Sequence, residues 1–187
     1  MIAQVQTAER SRTYDIVYIG MFVVVMAICS WISIPMAVPF TLQTFGVFMA
    51  VLVLGGKRGT LAVLVYILAG AIGIPVFSGF KGGAGALLGS TGGYILGFLF
   101  TALVMWAIEK FFGNKPVVTI ISMLVGLLVC YAFGTAWFMV VYARANGPVG
   151  LMTALGWCVF PFIIPDLVKI ALAYVLSGQI RKVVQIH

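Results

Sequence analysis

Long apolar segments, separated by only a few charged residues, limit most strongly what this chain can form. Of its 187 residues, 63% are hydrophobic and only 8% are charged, whereas a soluble domain is about 45–50% apolar and about a quarter charged. So few charges cannot cover the surface of a soluble domain of this size. The composition excludes a soluble enzyme, a disordered chain and a nucleic-acid-binding module, and it predicts an all-α integral membrane protein.

The order of apolar runs and breaks predicts six transmembrane helices in one domain, residues 1–187. A chain of this length allows roughly five to seven spans of about 20 residues. The polar residues 1–14 are expected to form a short polar helix or tail in the cytoplasm, and no cleaved signal peptide is predicted. The spans are predicted at about residues 16–34, 41–54, 60–72, 91–112, 117–142 and 162–177, with a long glycine-rich outer loop between the third and the fourth.

The positions of the basic residues predict the orientation. With the N-terminus in the cytoplasm, eight cations lie on the inner side and two, Lys81 and Arg144, on the outer side. The inner ones are Arg10, Arg12, Lys57, Arg58, Lys110, Lys115, Arg181 and Lys182. Because basic residues concentrate on the cytoplasmic side of membrane proteins, both termini are expected to be cytoplasmic.

Two charged residues lie within the sixth apolar run. Asp166 and Lys169 are three positions apart, which places them on one helix face. If the inner membrane edge lies near Gly178, Asp166 is roughly 18 Å into the bilayer. Ionisable residues at this depth are rare and usually functional. The alternative is a structural ion pair that holds the helix in the bundle.

The most unusual segment of the chain is glycine-rich. Residues 70–97 contain ten glycines, and irregular backbone at membrane depth is tolerated only where protein or a water-filled cavity satisfies its polar groups. With Phe77, Phe80 and Tyr94, the segment is suited to fold over a small flat ligand. The alternative is a flexible outer loop with close helix packing. No Gly-Lys-Ser/Thr sequence is present, so it is not a phosphate-binding loop.

The second predicted span begins with Pro39-Phe-Thr-Leu-Gln-Thr44. Gln43 and the two threonines can offer hydrogen bonds to a ligand on the outer side. Helix capping by Thr41 is an equally good interpretation.

The residue inventory argues against enzyme activity. The single histidine is His187 at the C-terminus, Asp166 has no second aspartate within a predicted span, and no nucleotide-binding motif is present. The three cysteines have no metal-like spacing and are interpreted as packing residues. Neither a metal nor a cofactor is predicted.

Five segments together resemble a known family. They are Pro39–Thr44, Gly73–Phe77, Gly79–Gly83, Thr91–Phe98 and Pro161–Lys169. Over about residues 14–178 the chain resembles the BioY family, the biotin-specific substrate-capture (S) components of energy-coupling factor (ECF) transporters. The resemblance implies a six-helix S component that binds biotin from outside. It also implies association with a transmembrane coupling subunit and two cytoplasmic ATPases.

The resemblance gives the candidate residues specific roles. Asp166 can accept hydrogen bonds from the ureido N–H groups of biotin, and Lys169 can keep Asp166 ionised and donate to the ureido oxygen. Phe77 and Phe80 can cover the rings, and residues 79–83, with Lys81 or Arg144, can meet the tail carboxylate. The reversed orientation, with Lys169 on the carboxylate, stays open. The predicted binding residues are Asp166, Lys169, Phe77, Gly79, Phe80, Gly82, Gly83, Tyr94, Gln43, Arg144 and Lys81.

Partner docking is expected on the first span. S components usually carry small residues there for the coupling subunit, and Gly20, Ala27 and Ser30 are the nearest match. Two other functions stay open: an S component for another vitamin, and a membrane scaffold subunit that transports nothing.

Overall fold

The computed structural model describes residues 2–36 and 38–183, and most of these residues are in α-helices. In chain order the elements are α1 (Ile2–Trp31), β1 (Ser33–Ile34), β2 (Phe40–Thr41), α2 (Gln43–Leu54), α3 (Gly56–Ala71), α4 (Ala84–Leu88), α5 (Gly92–Phe112), α6 (Pro116–Asn146), α7 (Leu151–Cys158) and α8 (Phe160–Val183). The predicted all-α class is confirmed. His187 lies outside the described residues.

Four helical stretches in the described part of the chain are long and apolar enough to cross a membrane: Thr13–Trp31, Gly92–Phe112, Pro116–Asn146 and Leu151–Lys182. The other two predicted spans correspond to α2 and α3, which have 12 and 16 residues and are shorter than a typical span of about 20. Helix α2 packs against α1, α3 and α8, and most of its residues are buried. Its short length is therefore tolerated because protein, rather than lipid, surrounds it.

Helix α1 shows why this bundle requires lipid. The segment predicted as a polar helix or tail is helical from Ile2 and continues without a break into the first span. One face of that span packs inward through Phe22 and Met26, while Val17 and Val24 are exposed. A soluble bundle would carry polar residues on the exposed face. Here both faces are apolar, as expected for a helix that contacts lipid.

Helices α5 and α6 approach each other closely because glycines face bulky side chains across their interface. A side chain at Gly134 would overlap the ring of Tyr94, and one at Gly93 would overlap Trp137. Tyr94 also hydrogen-bonds Thr135, at 2.9 Å between their hydroxyl oxygens. This packing holds Tyr94 in a defined position near the N-terminal end of α5.

Helices α2 and α3 meet at a sharp bend rather than at the predicted turn over residues 55–59. Only Gly55 separates them, and its φ of 81° lies in the left-handed region that glycine adopts readily. Glu109 accepts a hydrogen bond from the Gly56 N–H at 2.5 Å, and Arg181 donates to the Leu52 carbonyl. The negative Glu109 thus pairs with a free N–H group at the start of α3, and the positive Arg181 with a carbonyl near the end of α2. These are the signs that the helix dipole favours at each end.

Three other boundaries differ from the prediction. The break at residues 35–40 is a short hairpin in which Ser33 pairs with Thr41 and Ile34 with Phe40. The connection between the fifth and sixth predicted spans is shorter than expected, because α6 continues to Asn146 and a further helix, α7, begins at Leu151. The glycine-rich segment contains a helix of its own, α4.

Candidate functional site

A cavity of about 550 Å³ lies between the hairpin, the glycine-rich segment and helices α2, α5, α6 and α8. Its volume is within the range of about 300–1,000 Å³ that is typical of small-molecule sites. Aromatic side chains such as Phe77, Tyr94 and Phe162 form part of its wall, together with the polar side chains of Asp166 and Lys169. The cavity is therefore apolar over much of its surface and carries a few convergent polar groups.

Asp166 is the centre of a hydrogen-bond network in the wall of this cavity. It is only 2% exposed, and its Oδ1 atom lies 2.8 Å from the Lys169 ammonium and 3.0 Å from the Thr44 hydroxyl. The Tyr131 hydroxyl donates to Oδ2 at 2.5 Å. Donors from α2, α6 and α8 thus converge on one carboxylate and hold its position.

Lys169 has partners besides Asp166. Its ammonium donates to the Thr41 carbonyl at 2.6 Å and lies 4.3 Å from the centre of the Phe40 ring, a cation–π distance. Lys169 is 4% exposed. Because a buried charge is tolerated only when it is paired and hydrogen-bonded, these contacts explain how the sequence can keep an ion pair inside an apolar bundle.

The local sequence of α8 sets the pair on the cavity side. Asp166 and Lys169 follow Pro165, which lies inside the helix. Proline has no N–H, so the preceding turn lacks one backbone hydrogen bond. The spacing of three residues then places both charged side chains on one face. The pair can offer a ligand one strong acceptor and one strong donor at adjacent points.

The glycine-rich segment forms a wall of the cavity, with defined backbone contacts. The N–H of Phe77 donates to the Lys81 carbonyl at 2.9 Å, and the N–H of Gly83 donates to the Gly70 carbonyl at 2.7 Å. The Phe77 ring is buried and packs edge-on against Tyr66, with 5.6 Å between ring centres. The turn is thereby fastened to α3, and Phe77 is fixed at the cavity.

Seven of the predicted binding residues line this cavity: Asp166, Lys169, Phe77, Gly82, Tyr94, Gln43 and Lys81. Four others, Gly79, Phe80, Gly83 and Arg144, do not line it in the part of the chain that the structure describes. Phe80 is 65% exposed, and its ring stacks on Trp31 with 5.0 Å between centres. Its positive φ of 57° accompanies this outward position. In this structure Phe80 therefore lies outside the cavity, and its covering of the ligand stays a prediction.

Sequence reasoning missed two contacts of the site. It did not identify Tyr131, which reaches Asp166 from α6. In a long apolar span, the sequence does not show which neighbouring helix a tyrosine side chain faces. It also missed Phe40 as the ring beneath the Lys169 ammonium. The only available signal was the position of Phe40 in the polar-aromatic segment that begins the second span.

Two of the three residues of the predicted docking stripe on α1 lie inside the bundle in this structure. Ala27 is 4% exposed and Ser30 is fully buried. The Ser30 hydroxyl contacts the Val76 carbonyl at 2.5 Å, so it fastens the glycine-rich segment to α1. Helix periodicity turns these two positions inward, away from lipid. Gly20 lies on the exposed face, where an added Cβ would meet no atom.

Known proteins resemble this chain both in sequence and in fold. A family profile described as the BioY family matches residues 4–186. A biotin transporter BioY from Thermotoga maritima is 40% identical over 168 residues, covering 87% of this chain and 93% of that protein. A probable biotin transporter BioY from Pyrococcus horikoshii is 38% identical over 171 residues, covering 91% of this chain and 98% of the relative.

One solved structure has a similar fold over almost the whole chain. The crystal structure of the S-component for biotin from an ECF-type ABC transporter matches with a TM-score of 0.80 and 28% identity, covering 92% of this chain and 93% of that one. These relatives are transport proteins rather than enzymes, and with four membrane-capable helices the chain is a multi-pass membrane protein. Because the profile and the relatives cover nearly its entire length, this chain belongs to the BioY family.

Proposed function

We propose that this protein is the S component of an ECF-type ABC transporter and that it captures biotin for uptake. The observation that carries the proposal is the buried Asp166–Lys169 pair in the wall of a cavity of about 550 Å³. The relatives named above, a biotin transporter and a biotin S-component, support it. No cofactor has a role in this function, since biotin is the cargo.

The chemistry of biotin suits the residues of the cavity. A ureido group has two N–H donors and one oxygen acceptor, and the pair provides an accepting carboxylate beside a donating ammonium. We place the ureido ring at Asp166 and Lys169, and the apolar rings against Phe77 and Tyr94. Lys81, which lines the cavity and is exposed to solvent, is the cation for the tail carboxylate.

We further propose that the protein lies in the cytoplasmic membrane as one unit of six membrane helices, with both termini in the cytoplasm. Thr44, at the start of α2, lines the cavity, whereas Lys57 and Lys110 lie with the α2–α3 bend, at the other end of α2. The cavity and these cations are therefore at opposite ends of the bundle. Basic residues mark the cytoplasmic side, so the cavity is open to the outside.

Energy for uptake must come from other proteins, because the sequence carries no nucleotide-binding motif. We propose a transmembrane coupling subunit and two cytoplasmic ATPases as the partners. The exposed face of α1 around Gly20 is the candidate contact with the coupling subunit, since a small residue lets another helix approach closely.

Binding by the purified protein distinguishes the proposal from its alternatives. We expect calorimetric titration to show saturable binding of biotin and no comparable binding of thiamine or riboflavin. Preference for another vitamin would mean an S component of different specificity. Absence of binding by all three in a folded protein would favour a structural role for the buried pair.

Replacing Gly20 with tryptophan tests the docking surface. The variant should bind biotin as the wild type does, because an added side chain meets no atom of the chain. Its ATP-driven uptake with the coupling subunit and ATPases should fall at least tenfold. Gly178, also exposed and open but on α8, provides the matched control, and Gly178→Trp should retain uptake. Normal uptake by Gly20→Trp would place the docking surface elsewhere.

A further inference from the structure

We infer that Tyr66 fixes the orientation of the Gln43 side-chain amide, so that Gln43 presents its oxygen to the ligand cavity and accepts an N–H group of the ligand. Tyr66 belongs to α3 and is fully buried, and it does not line the cavity itself. It is therefore a positioning residue that acts through Gln43. The inference rests on the proposed function, because biotin is the ligand used to test it.

The first step of the argument concerns the Tyr66 hydroxyl. It lies 2.8 Å from the Val76 carbonyl oxygen and 2.7 Å from the Gln43 Nε2 atom. A carbonyl oxygen can only accept hydrogen bonds, and a tyrosine hydroxyl has a single proton to donate. When that proton points to Val76, the hydroxyl oxygen can only accept from Gln43, and the NH₂ side of the amide must face Tyr66.

The second step concerns the other end of the amide. Among the described residues, no hydrogen bond to the Gln43 Oε1 atom is found, yet none of their buried side-chain nitrogen and oxygen atoms lacks a partner. The Oε1 atom is therefore not sealed inside the protein. Since Gln43 lines the ligand cavity and is otherwise buried, this oxygen is open to the cavity.

The third step concerns the ligand chemistry that this arrangement selects. Asp166 already receives hydrogen bonds from Thr44, Tyr131 and Lys169, so a ligand with two N–H donors gains from another acceptor. An oriented Gln43 provides a neutral one. An N–H group at this position gains a hydrogen bond, whereas a methylated nitrogen leaves a buried acceptor unpaired. The site thus selects a cyclic urea with free N–H groups over its N-alkylated forms.

The test is a double-mutant cycle of Tyr66→Phe and Gln43→Leu, with biotin affinity measured by calorimetry. Each single variant should weaken binding by about three- to tenfold, the loss expected for one neutral hydrogen bond. The double variant should be no weaker than Gln43→Leu alone, because without the amide there is nothing to orient. Thermal melting checks the fold. Tyr66→Phe should not leave the Val76 carbonyl unpaired, because this carbonyl also accepts a hydrogen bond from the Ser30 hydroxyl at 2.5 Å.

A second measurement is independent of Tyr66. Biotin analogues methylated at one or the other ureido nitrogen are titrated into wild type and Gln43→Leu. For one of the two analogues, wild type and Gln43→Leu should have the same affinity. That analogue lacks the N–H group from which Gln43 accepts a hydrogen bond. The inference would be overturned if Tyr66→Phe lowered biotin affinity by the same factor with Gln43 and with Leu at position 43. It would also be overturned if Gln43→Leu lowered the affinity for biotin and for both analogues by the same factor. A wild type that binds no biotin would instead overturn the proposed function, and with it the ligand assigned to Gln43.

Discussion

Replacing Asp166 with asparagine is expected to weaken biotin binding at least tenfold while the protein still folds. A hydrogen bond to a charged group contributes about 1.5–3 kcal/mol, and a loss of about 1.4 kcal/mol is tenfold in affinity. In asparagine, an NH₂ group, which is a donor, replaces one of the two carboxylate oxygens. This group faces another donor, either the Tyr131 hydroxyl at the Oδ2 position or the Lys169 ammonium and Thr44 hydroxyl at the Oδ1 position. The ligand therefore meets a weaker and less well-oriented acceptor.

The fold should survive this change because Lys169 keeps two partners. Its ammonium still meets the Thr41 carbonyl and the Phe40 ring. The matched control is Asp15→Asn, the same chemical change at the only other aspartate of the sequence, which pairs with Arg58 away from the cavity. This control should leave biotin affinity unchanged. Normal affinity in a well-folded Asp166→Asn protein would remove Asp166 from the binding site.

Replacing Gly82 with valine is expected to reduce biotin affinity by about five- to 100-fold without unfolding the helices. A Cβ atom at this position would lie 2.5 Å from the Ile74 carbonyl oxygen and 2.7 Å from that of Gly73, which are backbone atoms. Overpacking of this kind typically costs about 1–3 kcal/mol. The strain pushes the two sides of the turn apart and displaces Phe77 from the cavity wall.

Gly85 offers a control for this variant within the same segment. It also lines the cavity, but an added Cβ meets no atom there. Gly85→Ala should therefore bind biotin nearly as well as wild type, and both variants should keep wild-type helix content by circular dichroism. Wild-type affinity of Gly82→Val would mean that the glycine-rich segment is a passive connection. A loss as large in Gly85→Ala would point to simple crowding of the cavity.

The features that the sequence predicted correctly depend on local spacing and on the cost of charge in lipid. The positions of Asp166 and Lys169 on one face follow from a separation of three residues. Their presence in an apolar run already implied a partner or a cavity. The alternative interpretation of residues 70–97 included close helix packing, and Gly93 does pack closely against Trp137.

The features that were missed depend on how helices pack against each other. Tyr131 and Asp166 are 35 positions apart in the sequence. They are in contact only because α6 and α8 pack against each other. Ala27 and Ser30 were small residues at plausible spacing, but the rotation of α1 turns them into the bundle. Phe80 was expected at the ligand because of its aromatic ring, whereas its backbone at positive φ accompanies a stack on Trp31 at the surface.

Native mass spectrometry of the protein purified from biotin-containing medium tests the central claim most directly. If the cavity with Asp166 and Lys169 binds biotin tightly, the wild-type protein should carry a single biotin, and Asp166→Asn prepared in the same way should carry clearly less. A different small molecule in the wild type, or biotin retained equally by both proteins, would contradict this account.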